Sequence, residues 1–397
     1  MKIGIEVQRL FRKKKFGIEF SSLELIKKLT ELEPNNEFVI FAKSDEDVEC
    51  LMASENLKIK TVAGRFFADF EQVFLPIAAG REQVDVLHCT GNTAPYFAPA
   101  PVVQTLHDVI FMDSIPSCDT FYQRFGNHYR RKVVPVVTPR SSAVITVSEH
   151  EKERIVQRLG VDPGRIHVVY NGLNQKRFHK NKDITLHNSI KGKFGLPDEF
   201  ILFLGNTSFR KNPERVIQAY VKYANGTAKP MGLVTPGLSK DFIVQRLKKL
   251  NYPYNSQQFI TPGYISDAEL PAFYSMCKIF MFPSISEGFG MPIIEAMACG
   301  APVITSNVSC MPEIAGNAGV LTDPYDTDNM AEALMTVATN DQLRMEKISA
   351  GLVNAKRFSW DRAAERVLNL YELVYQQERS MQKVPGFLGK HMFATRH

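Results

Sequence analysis

The 397-residue chain is short of several things, and each shortage excludes something. No run reaches 18 apolar residues, so no membrane-spanning helix is expected. The opening MKIGIEVQRL puts Glu6 and Arg9 where a signal peptide needs an apolar core, which argues for a cytoplasmic protein. The six cysteines (Cys50, Cys89, Cys118, Cys277, Cys299 and Cys310) form no CxxC pair and show no metal-ligand spacing. Most lie in apolar runs and read as reduced core residues. Charge of one sign is nowhere concentrated. The net +6 divides into +3 over residues 1–180 and +3 over the rest, unlike the basic stripe of a nucleic-acid binder. An anionic small ligand stays compatible, as does weak attraction to the inner membrane surface. No G-x-G-x-x-G follows KIGIEV, and the next glycine comes only at Gly17, which disfavours a dinucleotide-dependent oxidoreductase.

What the chain does have is alternation. KIGIEV, EFVIFA, DVLHCT, PVVQTLHD, AVITVS and IHVVYNG are short, β-branched and bounded by turn residues, and helical patterns such as FSSLELIKKLTEL lie between them. The pattern lapses in the polar stretch 173–199, which reads as a linker. It resumes with FILFLGN, MGLVTPG, QFITPG, KIFMFPS and APVITSN. Apolar strands alternating with helices mean parallel sheets covered on both faces. The expected fold class is therefore α/β, with two Rossmann-like domains over 1–180 and 181–360 facing a cleft. Residues 361–380 are expected to form a helix returning to the N-terminal domain, and 381–397 a tail. Ligands in such sheets bind at the carboxyl ends of the strands.

The segment SISEGFGMPIIEAMACG holds two glutamates, Glu287 and Glu295, eight residues apart around a glycine-aromatic-glycine step. Gly288 and Gly290 permit a tight turn and close backbone approach. Pro292 suits a helix's first turn and Gly300 its C-terminal cap, so a helix is expected from about Met291 to Cys299. Its N-terminus favours an anion. Glu295 lies one turn in and leans back toward that end, and Glu287 enters from the other side. A carboxylate accepts two hydrogen bonds side by side, as a vicinal diol requires. Carboxylates flanking an anion site suit a nucleotide sugar, which has hydroxyls on both sides of its diphosphate.

The whole stretch SISEGFGMPIIEAMACGAPVITSNVSCMPEIAG resembles the E-x7-E segment of the retaining glycosyltransferases of family 4, which have the GT-B fold. The likeness continues through FLGNTSFRKNPERVIQAY, GYISDAELPAFYSMCKIFMFPS, AVITVSEHEKERIVQRLGVDPGRIHVVYNG, TLHDVIF and the closing FSW, in family order. The resemblance implies that Glu287 contacts hydroxyls of the transferred sugar and Glu295 holds the ribose diol. It places the amides of Gly288, Phe289 and Gly290 near sugar and phosphates, and it gives Lys211 the neutralisation of the diphosphate. Many members carry an arginine five residues before that lysine. Here the position is Asn206, and Arg210 is the candidate second cation. His107 and Asp108 match the sugar side of the cleft, and Gly17 matches the glycine loop after the first strand, where members often have two glycines.

The implied reaction is retaining transfer of a hexose from a nucleoside-diphosphate sugar to a glycan or lipid-linked acceptor in surface polysaccharide synthesis. No Asp-x-Asp stands where a metal-dependent transferase would place it, so no metal or other cofactor is expected. The segments RKN and SNVSCMPE resemble mannosyl- and rhamnosyl-transferring members, which makes GDP-mannose the first donor to test. A sugar-nucleotide epimerase of the same fold and an inactive nucleotide-sugar-binding partner are the alternatives. The basic runs RKKK (12–15) and RRK (130–132), the latter within the aromatic segment FYQRFGNHYRRKVVPVV, read either as solvated charge or as contacts to anionic lipid.

Overall fold

The computed structural model describes residues 1–113, 121–250 and 253–382; Cys118 and most of the tail, 383–397, lie outside them. The chain forms two compact units. The first comprises 1–112, 121–172 and a returning segment from Trp360, and the second comprises 173–359.

The first unit is built on seven parallel strands: β1 (Lys2–Glu6), β2 (Glu37–Ala42), β3 (Leu57–Thr61), β4 (Val86–Cys89), β5 (Val102–Thr105), β6 (Ala143–Thr146) and β7 (Ile166–Val168). Their spatial order is 3-2-1-4-5-6-7, so the sheet grows outward in both directions from the β1–β4 pair, where Ile5 lies beside His88. The core on one face combines Ile3, Ile5 and Ile26 with Val367, Leu370 and Tyr371 of the last helix, Trp360–Gln382.

The second unit has six parallel strands: β8 (Phe200–Phe203), β9 (Gly232–Val234), β10 (Phe259–Ile260), β11 (Ile279–Phe282), β12 (Val303–Ser306) and β13 (Gly319–Thr322). The order 10-9-8-11-12-13 again reverses at a central pair, β8 beside β11. Both sheets are all-parallel and carry helices between their strands, as the unbroken apolar runs require.

Two expectations change here. The stretch 173–199 is no linker: it belongs to the second unit and contains a helix, Ile184–Phe194, capped by the Asp183 carboxylate at one end and left-handed Gly195 at the other. Only Ile190 of that helix is buried, so its pattern is too weakly apolar to show in the sequence. Two strands also went unforeseen, β3 and β13. Both are sheet edges with exposed positions (Lys58 and Lys60 in β3, Leu321 in β13) and neither is a continuous apolar run. Among the described residues no helix is long and apolar enough to cross a membrane. Of the described cysteines, Cys89, Cys277, Cys299 and Cys310 are buried thiols and Cys50 is half-buried, and none of them is in a disulfide.

Candidate active site

In an open parallel sheet the loops on either side of the order reversal splay apart and leave a crevice at the strands' carboxyl ends. In the second unit those loops are 204–212, after β8, and 283–290, after β11. They are tied together by the Ile285 N–H, which donates to the Arg210 carbonyl at 2.8 Å. Arg210 and Lys211 close a short 3₁₀ turn, and Asn212 follows at φ 60°, a left-handed conformation that asparagine tolerates. The Asn212 side chain donates to the carbonyls of Pro283 and Pro324, at 3.2 and 2.6 Å, and so locks the turn onto its neighbours.

This places both cations on one carboxylate. Arg210 Nη1 lies 2.6 Å from Glu287 Oε2, and Lys211 Nζ lies 2.5 Å from Oε1. Lys211 Nζ also sits 4.6 Å from the centroid of the Phe282 ring. Burial pushes the Glu287 carboxyl up, but the two cations outweigh it and hold it below its ordinary value. Burial lowers Lys211 below the ordinary lysine value despite Glu287. The Glu287 backbone is fixed through Ser309, whose hydroxyl accepts its N–H at 3.2 Å and meets its carbonyl at 3.0 Å. The trio carries a net single positive charge at the mouth of the β8–β11 crevice.

The helix after β11 runs Met291–Ala298 and is preceded by Gly290 at φ 90°, which only glycine adopts without strain. Gly288 is half-exposed, while Phe289 and Gly290 are buried; the Phe289 ring packs edge-on to Phe358 at 5.6 Å. Glu295 accepts a hydrogen bond from the Tyr274 hydroxyl at 3.0 Å, and burial pushes its carboxyl up to about 7. Asn206 stands apart from this group. It is exposed, and its Oδ1 accepts the Ser208 N–H at 2.9 Å in a local turn. The second cation beside Lys211 is thus Arg210.

In the first unit His107 and Asp108 follow β5. The His107 N–H donates to Asn92 Oδ1 at 2.7 Å, and its ring Nε2 lies 3.1 Å from the Thr90 carbonyl. Burial lowers its pKa below the ordinary histidine value, which favours the neutral ring. Asp108 accepts the Ile110 N–H at 3.0 Å and caps the turn that follows. Gly17 opens the helix Gly17–Leu32 and is exposed, and a side chain there would meet nothing within 4 Å. Close packing therefore does not demand a glycine at that position. In the run 12–15, Lys13 lies 3.7 Å from Glu46 and Lys15 pairs with Asp47.

Sequence reasoning missed Asn212, Tyr274, Phe282 and Ser309. Asn212 had a signal, an asparagine between a cation pair and a proline that starts a helix. The other three act through long-range packing, which no local pattern encodes.

Two family descriptions match the chain. Glycosyltransferase Family 4 covers residues 17–177, and Glycosyl transferases group 1 covers 187–352. Among relatives, the O-antigen chain mannosyltransferase B of Escherichia coli is 28% identical over 68% of this chain and 70% of its own length. A serotype-specific mannosyltransferase WbdA of the same species is 27% identical over 60% of this chain, which spans only 30% of that larger protein. Among solved structures, sucrose-phosphate synthase from Thermosynechococcus elongatus superposes with a TM-score of 0.72 at 17% identity, covering 95% of this chain and 99% of that one. Anabaena HepE in complex with UDP and glucose gives 0.71 at 17%, covering 94% and 100%. Identity this low establishes the fold alone. With the two family descriptions spanning most of its length, the chain belongs to the group 1 glycosyltransferases of GT-B fold, with mannosyltransferases among its relatives.

Proposed function

We propose that the chain moves a hexose from a nucleoside-diphosphate sugar to a saccharide acceptor, with retention at the anomeric carbon, and that GDP-mannose is the first donor to test. The observation that carries this reading is the pair Arg210 and Lys211 converging on Glu287 beside the helix that bears Glu295. A departing nucleoside diphosphate gains negative charge as the C1–O bond breaks. Two fixed cations in a partly buried crevice stabilise that charge without reorganising. Glu287 sits where it can take hydroxyls of the sugar, and Glu295, in its ionised form, takes the ribose diol. Gly288, Phe289 and Gly290 line the turn between them, where backbone approaches sugar and phosphates.

No group in this cluster is poised as a nucleophile on C1. Both cations are occupied with charge, and Glu287 is held between them. The reading is therefore front-face attack: the acceptor oxygen bonds to C1, the leaving phosphate oxygen takes the acceptor proton, and the protein supplies position and charge. His107, held by Thr90 and Asn92 in the first unit, is assigned to a sugar hydroxyl. Because Arg210 and Lys211 supply the positive charge, activity is expected to survive exhaustive chelation; loss that Mg²⁺ or Mn²⁺ restores would refute this part.

The acceptor is assigned to a growing surface glycan or its lipid-linked precursor, in keeping with the name of the O-antigen chain mannosyltransferase among the relatives. Weak attachment to an anionic membrane belongs to the same reading. It is supported by exposed Phe16 and Phe66, each with a cation over its ring, Lys14 at 5.9 Å and Arg65 at 5.6 Å.

The test is thermal stabilisation by GDP, UDP, ADP and dTDP at matched concentrations, since a ligand that binds only the folded state raises Tm. A shift with GDP alone supports the mannose donor, and a shift with UDP or dTDP alone replaces it. No shift with any of them, or release of an epimer or free sugar without an acceptor, would remove the transferase reading.

A further inference from the structure

Glu295 is asked to meet a ribose diol, and a glutamate alone on a helix is badly prepared for that. The terminal torsion of its carboxylate is broad and close to two-fold, so its oxygens can face a ligand in many directions. Tyr274 removes that freedom. It lies on the helix Leu270–Met276, fully buried, with its ring edge-on to Phe280 at 5.1 Å and tilted against Phe178 at 6.3 Å. The same helix is fastened to its neighbour by Phe273, whose ring meets that of Phe194 at 5.2 Å. A ring clamped in this way aims its hydroxyl in one direction, and the hydroxyl reaches Glu295 Oε2 at 3.0 Å. Among the described residues no other hydrogen bond reaches that carboxylate.

The bond runs from Tyr274 to Glu295. Burial and the facing carboxylate push the phenol well above its ordinary value, so near neutral pH it keeps its proton and donates. The other groups around Glu295 do less. Arg177 lowers the carboxyl and Asp267 raises it. The Arg177 guanidinium is already held on the Asp267 carbonyl at 2.7 Å, with the Asp267 carboxylate 3.4 Å away, so the two charges largely offset at Glu295. Burial pushes the Cys299 thiol, at the end of Glu295's own helix, up to about 12. It raises Cys277, at the end of the tyrosine's helix, as well, so both thiols are neutral. A carboxylate has about four lone-pair sites, and Tyr274 takes one. Those left suffice for two adjacent hydroxyls, in an orientation that the tyrosine sets.

We propose that Tyr274 is a positioning residue for donor binding, fixing Glu295 so that the site selects a nucleoside diphosphate with both ribose hydroxyls over its 2′-deoxy counterpart. The ribose role rests on the transferase reading and deepens it.

The test uses Tyr274→Phe, which keeps the packed ring and removes the hydroxyl alone. In the ligand-free full chain, ¹³C NMR titration of the Glu295 carboxyl, assigned by its loss in Glu295→Gln, should show a midpoint of about 7 in wild type. In Tyr274→Phe that midpoint should rise by about one pH unit, because the lost bond favoured the ionised form. An unmoved midpoint would overturn the proposal. Calorimetry at pH 7 with GDP, UDP and ADP, each beside its 2′-deoxy counterpart, reads the selection. Wild type should prefer the ribose form about tenfold, the worth of one hydrogen bond to a charged acceptor. Tyr274→Phe should bind the ribose form about fivefold more weakly, as the ionised fraction of Glu295 falls, and the deoxy form about twofold more weakly, so that much of the preference is lost. Raising the pH to 9 should restore part of the ribose affinity. An equal loss for both forms that alkaline pH does not restore would mean a disturbed site and overturn the proposal. The two possible failures are distinct. A wild type that binds none of the three diphosphates removes the transferase reading. Binding that ignores both the 2′-hydroxyl and Tyr274→Phe leaves that reading standing and removes this one.

Discussion

Lys211 and Arg210 share Glu287, and that sharing sets what a substitution does. In Lys211→Ala the Arg210 contact at 2.6 Å remains, so the carboxylate keeps a partner and the fold should change little. Turnover should fall by ~10²–10³, the usual loss when one charge-stabilising group is removed. Steady-state kinetics decide it, and an unchanged kcat would move the diphosphate to Arg210. Glu295 yields a pH prediction. Burial raises its carboxyl to about 7, so it is largely protonated at pH 6 and largely ionised at pH 8. Diol binding draws on the ionised form, so affinity for the nucleoside diphosphate should rise roughly tenfold over that interval. Glu295→Gln should bind more weakly and lose the pH dependence, and the same titration on that variant subtracts the ligand's own ionisation. A flat wild-type profile would reject the ribose role. The carboxylates, the glycines and the cation pair could be read from sequence because their spacing is local. The mutual ion pairing of Arg210, Lys211 and Glu287 could not, because it joins loops after different strands.

At the scale of elements, every interior strand showed in the sequence, and of the four edge strands β7 and β10 showed while β3 and β13 did not. β1, β2, β4 and β8 are nearly continuous apolar runs because both of their faces are covered. β3 alternates Lys58, Ile59 and Lys60, and β13 exposes Leu321, because an edge strand meets solvent. The helix Met291–Ala298 ends one residue before the sequence reading, with Cys299 as its cap. Gly172 matters for a reason its sequence hides. A Cβ there would clash with the Trp360 backbone nitrogen, where the last helix begins. Gly172→Ala must push that helix start outward, and overpacking of this kind costs about 1–3 kcal/mol. Chemical denaturation of the variant should show a loss in that range, carried by the first unit. An unchanged midpoint would mean the helix start yields freely.

At the scale of the whole molecule, two α/β series were legible because each repeats the same alternation of strand and helix. The last helix was expected to return to the first unit, although its amphipathic pattern alone would suit either sheet. The structure puts Trp360, Val367, Leu370, Tyr371 and Val374 in the first unit's core, with the Tyr371 hydroxyl 2.6 Å from Nδ1 of buried His88 on β4. Burying each large side chain of this kind contributes about 1.5–3 kcal/mol. Five together rival the entire 5–15 kcal/mol stability of a typical domain. A chain ending at residue 359 should therefore lose the folded first unit, exposing Ile3, Ile5 and Ile26. The second unit keeps Arg210, Lys211, Glu287 and Glu295, together with a core that draws no residue from beyond 359. Hydrogen exchange should show rapid labelling over 1–172 and native protection over 200–355. The nucleoside diphosphate that stabilises the full chain should still bind the truncated one within a few-fold, and transfer should be abolished. Loss of nucleotide binding on truncation would show that the donor site needs the first unit, and would move part of the diphosphate's recognition out of the β8–β11 loops.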